Sequence, residues 1–187
     1  MILKNLRLSL VLLLICGIAY PLAMTGISQV VMPAQASGSL ITDASGKVVG
    51  SELIGQTFTD PKYFWGRISS IDNNAAGSGS NNYAPSNPAL IERTQKDIAA
   101  FLAANPGVKQ EDIPADLLTN SASGLDPHIS PKAAQIQVER VAKARNLEPV
   151  QLQALIEANT DGRSLGVFGE PRVNVVKLNL ALDELKK

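Results

Sequence analysis

Residues 8–32 read LSLVLLLICGIAYPLAMTGISQVVM, 25 positions without a charged side chain. At about 1.5 Å of rise per residue, such a helix covers the roughly 30 Å hydrocarbon core of a bilayer with length left for tilt. Lys4 and Arg7 precede the stretch, and the next charged residue, Asp43, is acidic. Basic residues are held on the cytoplasmic side, which predicts an N-terminus inside and the remaining chain outside. The expected organisation is a cytoplasmic N-terminus at 1–7, a transmembrane helix at 8–32, a linker at 33–37 and a soluble extracytoplasmic (periplasmic-side) domain at 38–187. That describes a single-pass protein of the cytoplasmic (inner) membrane, embedded in lipid.

Two other readings of the segment compete with the anchor. Ala34-Gln35-Ala36 fits a signal-peptidase pattern and would release a secreted enzyme, but the apolar run is far longer than a signal core. Lipidation at Cys16 is disfavoured because bulky Leu13, Leu14 and Ile15 precede it deep in the span. Within the span Gly17, Pro21, Thr25 and Ser28 recur at four, four and three, with Gln29 beside them. Small and hydroxylated residues on one face allow close helix contact in lipid, and Gln29 is costly against acyl chains. These five residues are the expected partner-facing surface. The plainer alternative is that the hydroxyls bond their own backbone and Pro21 only kinks the helix.

Outside the span the chain is nearly neutral. Setting Lys4 and Arg7 aside leaves 15 basic and 17 acidic side chains, which gives no pull on phosphate backbones and argues against nucleic acid. With Cys16 as the only cysteine, an intrachain disulfide and a cysteine metal site are excluded. His128 is the only histidine, and its neighbours Asp126 and Ser130 read as capping residues rather than parts of a triad. Gly77-Ser78-Gly79-Ser80 lacks the strand and the Gly-Lys-Ser of a phosphate loop. No catalytic residue and no metal-ligand set is assigned.

Beyond the linker, 38–49 predicts two short strands around a turn at Asp43–Gly46. Phe58, Tyr63, Phe64 and Trp65 cluster as a core plug, and 72–87 is a long polar loop. Asn87-Pro88 opens a helix with Leu90, Ile91, Thr94, Ile98, Phe101 and Leu102 on one face. Ile113–Leu118 is a short helix or strand. Ser130-Pro131 opens a second helix with Ala134, Val138, Val141 and Ala142 inward, and Pro149 a third with Leu152, Leu155 and Ile156 inward. Residues 172–176 read as a strand, followed by a closing helix with Leu178, Ala181, Leu182 and Leu185 in register. The expected fold class is α+β: one transmembrane helix, then a single domain whose small sheet, from 38–49 and 172–176, is packed by about four helices.

Several blocks in order carry a resemblance: Gly50-Ser51 through Gln56, Tyr63-Phe64-Trp65-Gly66-Arg67, the run from Ser121 to Pro131, Arg140 to Leu147, and Asn174-Val175 through Asp183. Together they resemble the C subunit of the Kdp potassium-transporting ATPase from Tyr20 onward. The resemblance implies a non-catalytic accessory subunit of an ATP-driven potassium importer. Its partners would be a channel-like potassium-binding subunit and a P-type ATPase catalytic subunit, with a small single-span subunit as an optional further member. It also implies a role in assembly and stability of the complex, and that of a catalytic chaperone raising the ATP affinity of the ATPase subunit. ATP and potassium are then handled by the complex. Ser123, Gly124 and Gln137 are the nucleotide candidates the resemblance suggests in this chain; their structural alternative is that Ser123 and Gly124 shape a turn while Gln137 satisfies buried backbone groups. A domain outside the membrane is remote from cytoplasmic ATP, so the second functional reading is a cap or gate over the potassium entrance of the channel-like subunit, without nucleotide contact.

Overall fold

A computed structural model describes residues 1–43 and 45–185. The chain divides into two compact units, Met1–Val49 and Gly50–Lys187.

The first unit is dominated by one apolar helical stretch, Ile2–Val31, long enough to cross a membrane. It starts six residues before the charge-free run, so Lys4 and Arg7 lie on its opening turns. The stretch comprises α1 (Ile2–Leu14), a π-helical turn at Ile15–Ala19 and α2 (Tyr20–Val31). The Tyr20 N–H bonds the Ile15 carbonyl, five residues back. The cause is next in the chain: Pro21 has no N–H and its ring crowds the preceding turn, which the wider π turn relieves. A four-residue turn, α3 (Pro33–Ala36), follows. β1 (Leu40–Thr42) then pairs with β2 (Val48–Ser51). Between them the Asp43 carboxylate accepts from the Ser45 and Lys47 amides at 2.8 and 3.0 Å.

The second unit is α+β. Its sheet is three-stranded and antiparallel, with β5 (Arg172–Asn174) between β3 (His128–Ile129) and β4 (Thr160–Asp161). Val173 lies opposite Ile129 on one side and Thr160 on the other, and is wholly buried. Strands therefore form in both expected regions but belong to separate sheets. The partners of β5 are two-residue strands, too short for an alternating pattern to mark them in sequence.

α4 (Pro88–Ala104) opens as expected, with the Asn87 side chain accepting from the Ala89 amide at 2.9 Å. Phe101 is its buried residue, while Ile91 is half exposed, at the edge of the apolar stripe. Residues 113–118 contain a 3-10 turn, Ala115–Leu117. The helix expected from Pro131 is two helices, α5 (Pro131–Gln135) and α6 (Val138–Arg145). The break centres on Gln137. The Gln137 side chain donates to the Ala133 carbonyl at 3.0 Å, taking the acceptor its own amide would use in a continuous helix, and that amide turns to Ala134 at 3.1 Å. α6 stops at Asn146, which is left-handed at φ 54°. α7 (Pro149–Ala158) begins with a capping box between Glu148 and Gln151. β5 runs into α8 (Val175–Glu184) without a linker, because the Asn174 side chain accepts from the Val176 and Lys177 amides. Leu178 and Leu182 of α8 are fully buried, but Leu185 is 45% exposed.

The core gathers Phe64, Val141, Leu152, Val173, Leu178 and Leu182. Burial of each such side chain stabilises the fold by about 1.5–3 kcal/mol. Phe64 is the plug the aromatic cluster predicts, and Phe58, Tyr63 and Trp65 pack around it at partial exposure.

Candidate functional site

Among the described residues no strand pairs with the aromatic segment, and side chains satisfy its backbone. Asn179 accepts from the Phe64 amide at 2.8 Å and donates to the Phe64 carbonyl at 2.9 Å. Gln137 does the same for Trp65, at 2.8 and 3.1 Å. Gln137 is 0% exposed, and its oxygen also accepts from Arg140 at 2.6 Å. Arg140 lies 4.2 Å from the centre of the Trp65 ring and donates to the Asn105 side chain and to the Pro61 and Tyr63 carbonyls. Its contacts are neutral oxygens, and burial lowers its pKa to about 10, with Asp60 opposing the shift. It remains charged at neutral pH. Arg145 repeats the arrangement over Tyr63, ion-paired to Asp183.

Ser123 and Gly124 lie elsewhere, on the turn preceding β3. Ser123 lines a shallow depression of about 410 Å³ with Leu53, Arg67, Ser121, Asp126 and His128. Asp126 is its electrostatic centre, accepting from Arg67 at 2.9 Å on one oxygen and facing the His128 Nδ1 at 3.0 Å with the other. The hydrogen bond from the His128 ring is the main cause that lowers its pKa to about 2, with the His128 amide and Arg67 adding to it against partial burial. The turn engages its own amides. Ser121 Oγ accepts from Gly124 N and Asp126 N at 3.1 and 3.3 Å, and Ser123 Oγ accepts from Leu125 N at 3.1 Å. The Ser123 carbonyl accepts from Gly79 N at 2.8 Å, fastening the polar 72–87 loop to the turn. Gly124 is left-handed at φ 72°, and a Cβ there would lie 2.6 Å from Ile71 Cγ1. The three nucleotide candidates are thus not gathered: Gln137 is closed inside the core, and Ser123 and Gly124 lie on a turn in which the Gly124, Leu125 and Asp126 amides have acceptors.

In the span, the Thr25 hydroxyl donates to the Pro21 carbonyl at 2.8 Å, so one hydroxyl of the expected face is engaged at home. A Cβ on Gly17 would meet nothing within 4 Å, which leaves room for a close neighbour. Ser28 and Gln29 follow on α2. The π turn contains Gly17 and rotates it relative to Pro21 from where an unbroken α-helix would set it.

Sequence reading passes over the partly buried Arg67 and the buried Arg140 and Arg145, because nothing local distinguishes such an arginine from a surface one. It also passes over 163–170, an exposed loop closed by Arg163 and Glu170 at 2.8–2.9 Å. Its only sequence signal is Leu-Gly-Val-Phe-Gly between opposite charges.

A family model described as the K+-transporting ATPase, c chain (KdpC), matches residues 2–184. A potassium-transporting ATPase KdpC subunit of Bacillus cereus is 56% identical over 181 residues, covering 97% of this chain and 94% of that protein. The subunit of the same name from Caldanaerobacter subterraneus is 54% identical over 185 residues, covering 98% and 95%. One from Bacillus anthracis is 54% identical over 181 residues, covering 97% and 94%. Matched along nearly its whole length, the chain belongs to the KdpC family, the c chain of the potassium-transporting ATPase.

Proposed function

We propose that this subunit of the potassium-transporting ATPase acts as an accessory, non-catalytic docking element that supports assembly of the complex through its span and its folded body. The charge asymmetry around residues 8–32 favours an N-terminus inside and a body outside the membrane. On that reading the body faces the outer side of the channel-like subunit. Any effect on the ATP affinity of the catalytic subunit then passes through the membrane helices, and coupling between distant sites of about 1–3 kcal/mol suffices to change turnover several-fold.

The observation that carries the reading is the state of Gln137. Its amide serves Trp65, Ala133 and Arg140 inside the core, leaving no group for a nucleotide. The Gly124, Leu125 and Asp126 amides of the neighbouring turn have acceptors within the turn. Both support a structural rather than a nucleotide-binding role. The test is calorimetric titration of the purified full-length chain in detergent with ATP. No saturable heat is expected up to millimolar nucleotide; submillimolar binding by a folded sample would refute the proposal.

A further inference from the structure

A cleft of about 990 Å³ opens between the end of α4 and the α5–α6 pair. Sites for small organic ligands span about 300–1,000 Å³, and are mostly apolar with a few polar groups that fix orientation. Here Ala103, Pro106, Val108 and Ile136 supply apolar surface. Lys132, Arg140 and Lys143 share the walls with Asp112 and Glu139, three cations against two carboxylates, so one positive charge is in excess. None of the three cations is ion-paired among the described residues. Arg140 is the sharpest case. It is 8% exposed, and the acceptors around it are the Asn105 and Gln137 side-chain oxygens and the Pro61 and Tyr63 carbonyls, all neutral. A buried cation held without a counter-ion is costly, and an anion in the cleft would offset that cost. Glu139 does not do so, because its carboxylate lies against Gly107, where a Cβ would come within 2.7 Å of Oε2. Lys143 stands three residues beyond Arg140 on α6, a spacing at which one anion can meet both side chains.

We infer that this cleft binds a small amphipathic monocarboxylate, its carboxylate at Arg140 and Lys143 and its hydrocarbon body against Ala103, Pro106, Val108 and Ile136. Such a site is independent of the docking role proposed above. Charge selects the class. A monoanion cancels the single excess positive charge, whereas a phosphate monoester, at about −1.5 to −2, would leave the cleft negative beside Asp112 and Glu139. A nucleotide triphosphate fits worse still. A cationic amphiphile would place a second charge against Arg140 in a partly dry site. The apolar lining distinguishes an amphipathic acid from a small anion such as acetate, which would leave that surface in contact with water.

Trp65 provides the readout, because it is the only tryptophan and its ring centre lies 4.2 Å from the Arg140 guanidinium. The purified full-length chain in detergent is titrated with octanoate while Trp65 emission is followed. A saturable shift with a midpoint on the order of 1 mM or below is expected. Acetate, which lacks the hydrocarbon body, and octyltrimethylammonium, which carries the opposite charge, should give none at the same concentration. Two variants at exposed positions locate the site: Lys143→Glu reverses a charge at the carboxylate, and Ala103→Phe fills the cleft. Each should keep the thermal midpoint of the parent and raise the octanoate midpoint about tenfold. The inference is overturned by the absence of a saturable shift, by an equal response to acetate or to the cationic amphiphile, or by an unchanged octanoate titration in either variant that keeps its fold. The last result is what partitioning of octanoate into the micelle would give.

Discussion

Gln137 and Asn179 act as a substitute sheet edge: two carboxamides give Phe64 and Trp65 the backbone pairing that neighbouring strands would otherwise supply. Truncating one leaves a buried amide and carbonyl unpaired, and at Gln137 it also strips Arg140 of a partner. Gln137→Ala is therefore expected to cost about 2–4 kcal/mol. Trp65, the only tryptophan, reports this directly through fluorescence-detected denaturant unfolding of the full-length chain. A variant as stable as the parent would contradict the structural role. Asp126 supplies the acid-sensitive contribution. Its pKa is depressed from 3.8 to about 2 in the folded state, chiefly by its hydrogen bond with His128. A depressed carboxylate contributes stability that is complete above its unfolded pKa and is lost as pH falls through the folded one. The window is therefore about pH 4 down to pH 2. After discounting for partial exposure, the contribution is on the order of 1–2 kcal/mol. Asp126→Asn should lower stability by that amount at pH 7 and flatten the decline between pH 4 and pH 2, measured by thermal unfolding across that range. An unchanged acid slope would place the titration elsewhere.

Among the elements, the apolar helix and the α5–α6 pair show how one residue redirects a regular structure. Pro21 widens the preceding turn into a π turn, and Gln137 breaks a helix by placing its side chain on Ala133. The two breaks differ in legibility. Proline at position 21 announces a disturbance in any helix, whereas glutamine at 137 is a good helix former whose effect depends on Trp65, 72 residues away. The span also separates the two readings of its polar face. Thr25 is bonded to its own backbone, so Thr25→Val should change complex yield little. Gly17→Leu with Ser28→Leu should reduce co-purification of partner subunits several-fold, because bulk on a close-approach face pushes helices apart. Full recovery of the complex by the well-expressed double variant would remove that face from the interface.

For the whole molecule, the polar loop at 72–87 bears on the choice between a support and a gate. Its only charge is Asp72, so it is unsuited to concentrating cations, and Gly79 ties it to the Ser123 turn. Deleting 74–82 removes the Gly79 bond to Ser123 and the weaker Ser78 contact at 3.2 Å, a loss of about 1–2 kcal/mol that leaves the core intact. Assembly should survive. If the body gates potassium entry, the purified mutant complex will show an altered apparent potassium affinity or turnover; transport matching the parent in both would confine the loop to support.

The apolar helix, the openings of α4, α5 and α7 at Pro88, Pro131 and Pro149, the closing helix α8, the α+β class and the family blocks were legible in the amino-acid sequence itself. All of these rest on interactions within a few residues: hydrophobic periodicity, a cap and a proline at a first helical turn, or a charge-free run. Tertiary structure alone decided that β5 pairs with two-residue strands rather than with the 38–49 hairpin, that Gln137 and Asn179 face inward on backbone 72 and 115 residues away, and that Leu165, Val167 and Phe168 point outward. Periodicity reports which face of an element is apolar but not what that face meets. A polar side chain's role is set by the orphaned backbone groups that folding brings to it, and those groups are distant in the chain.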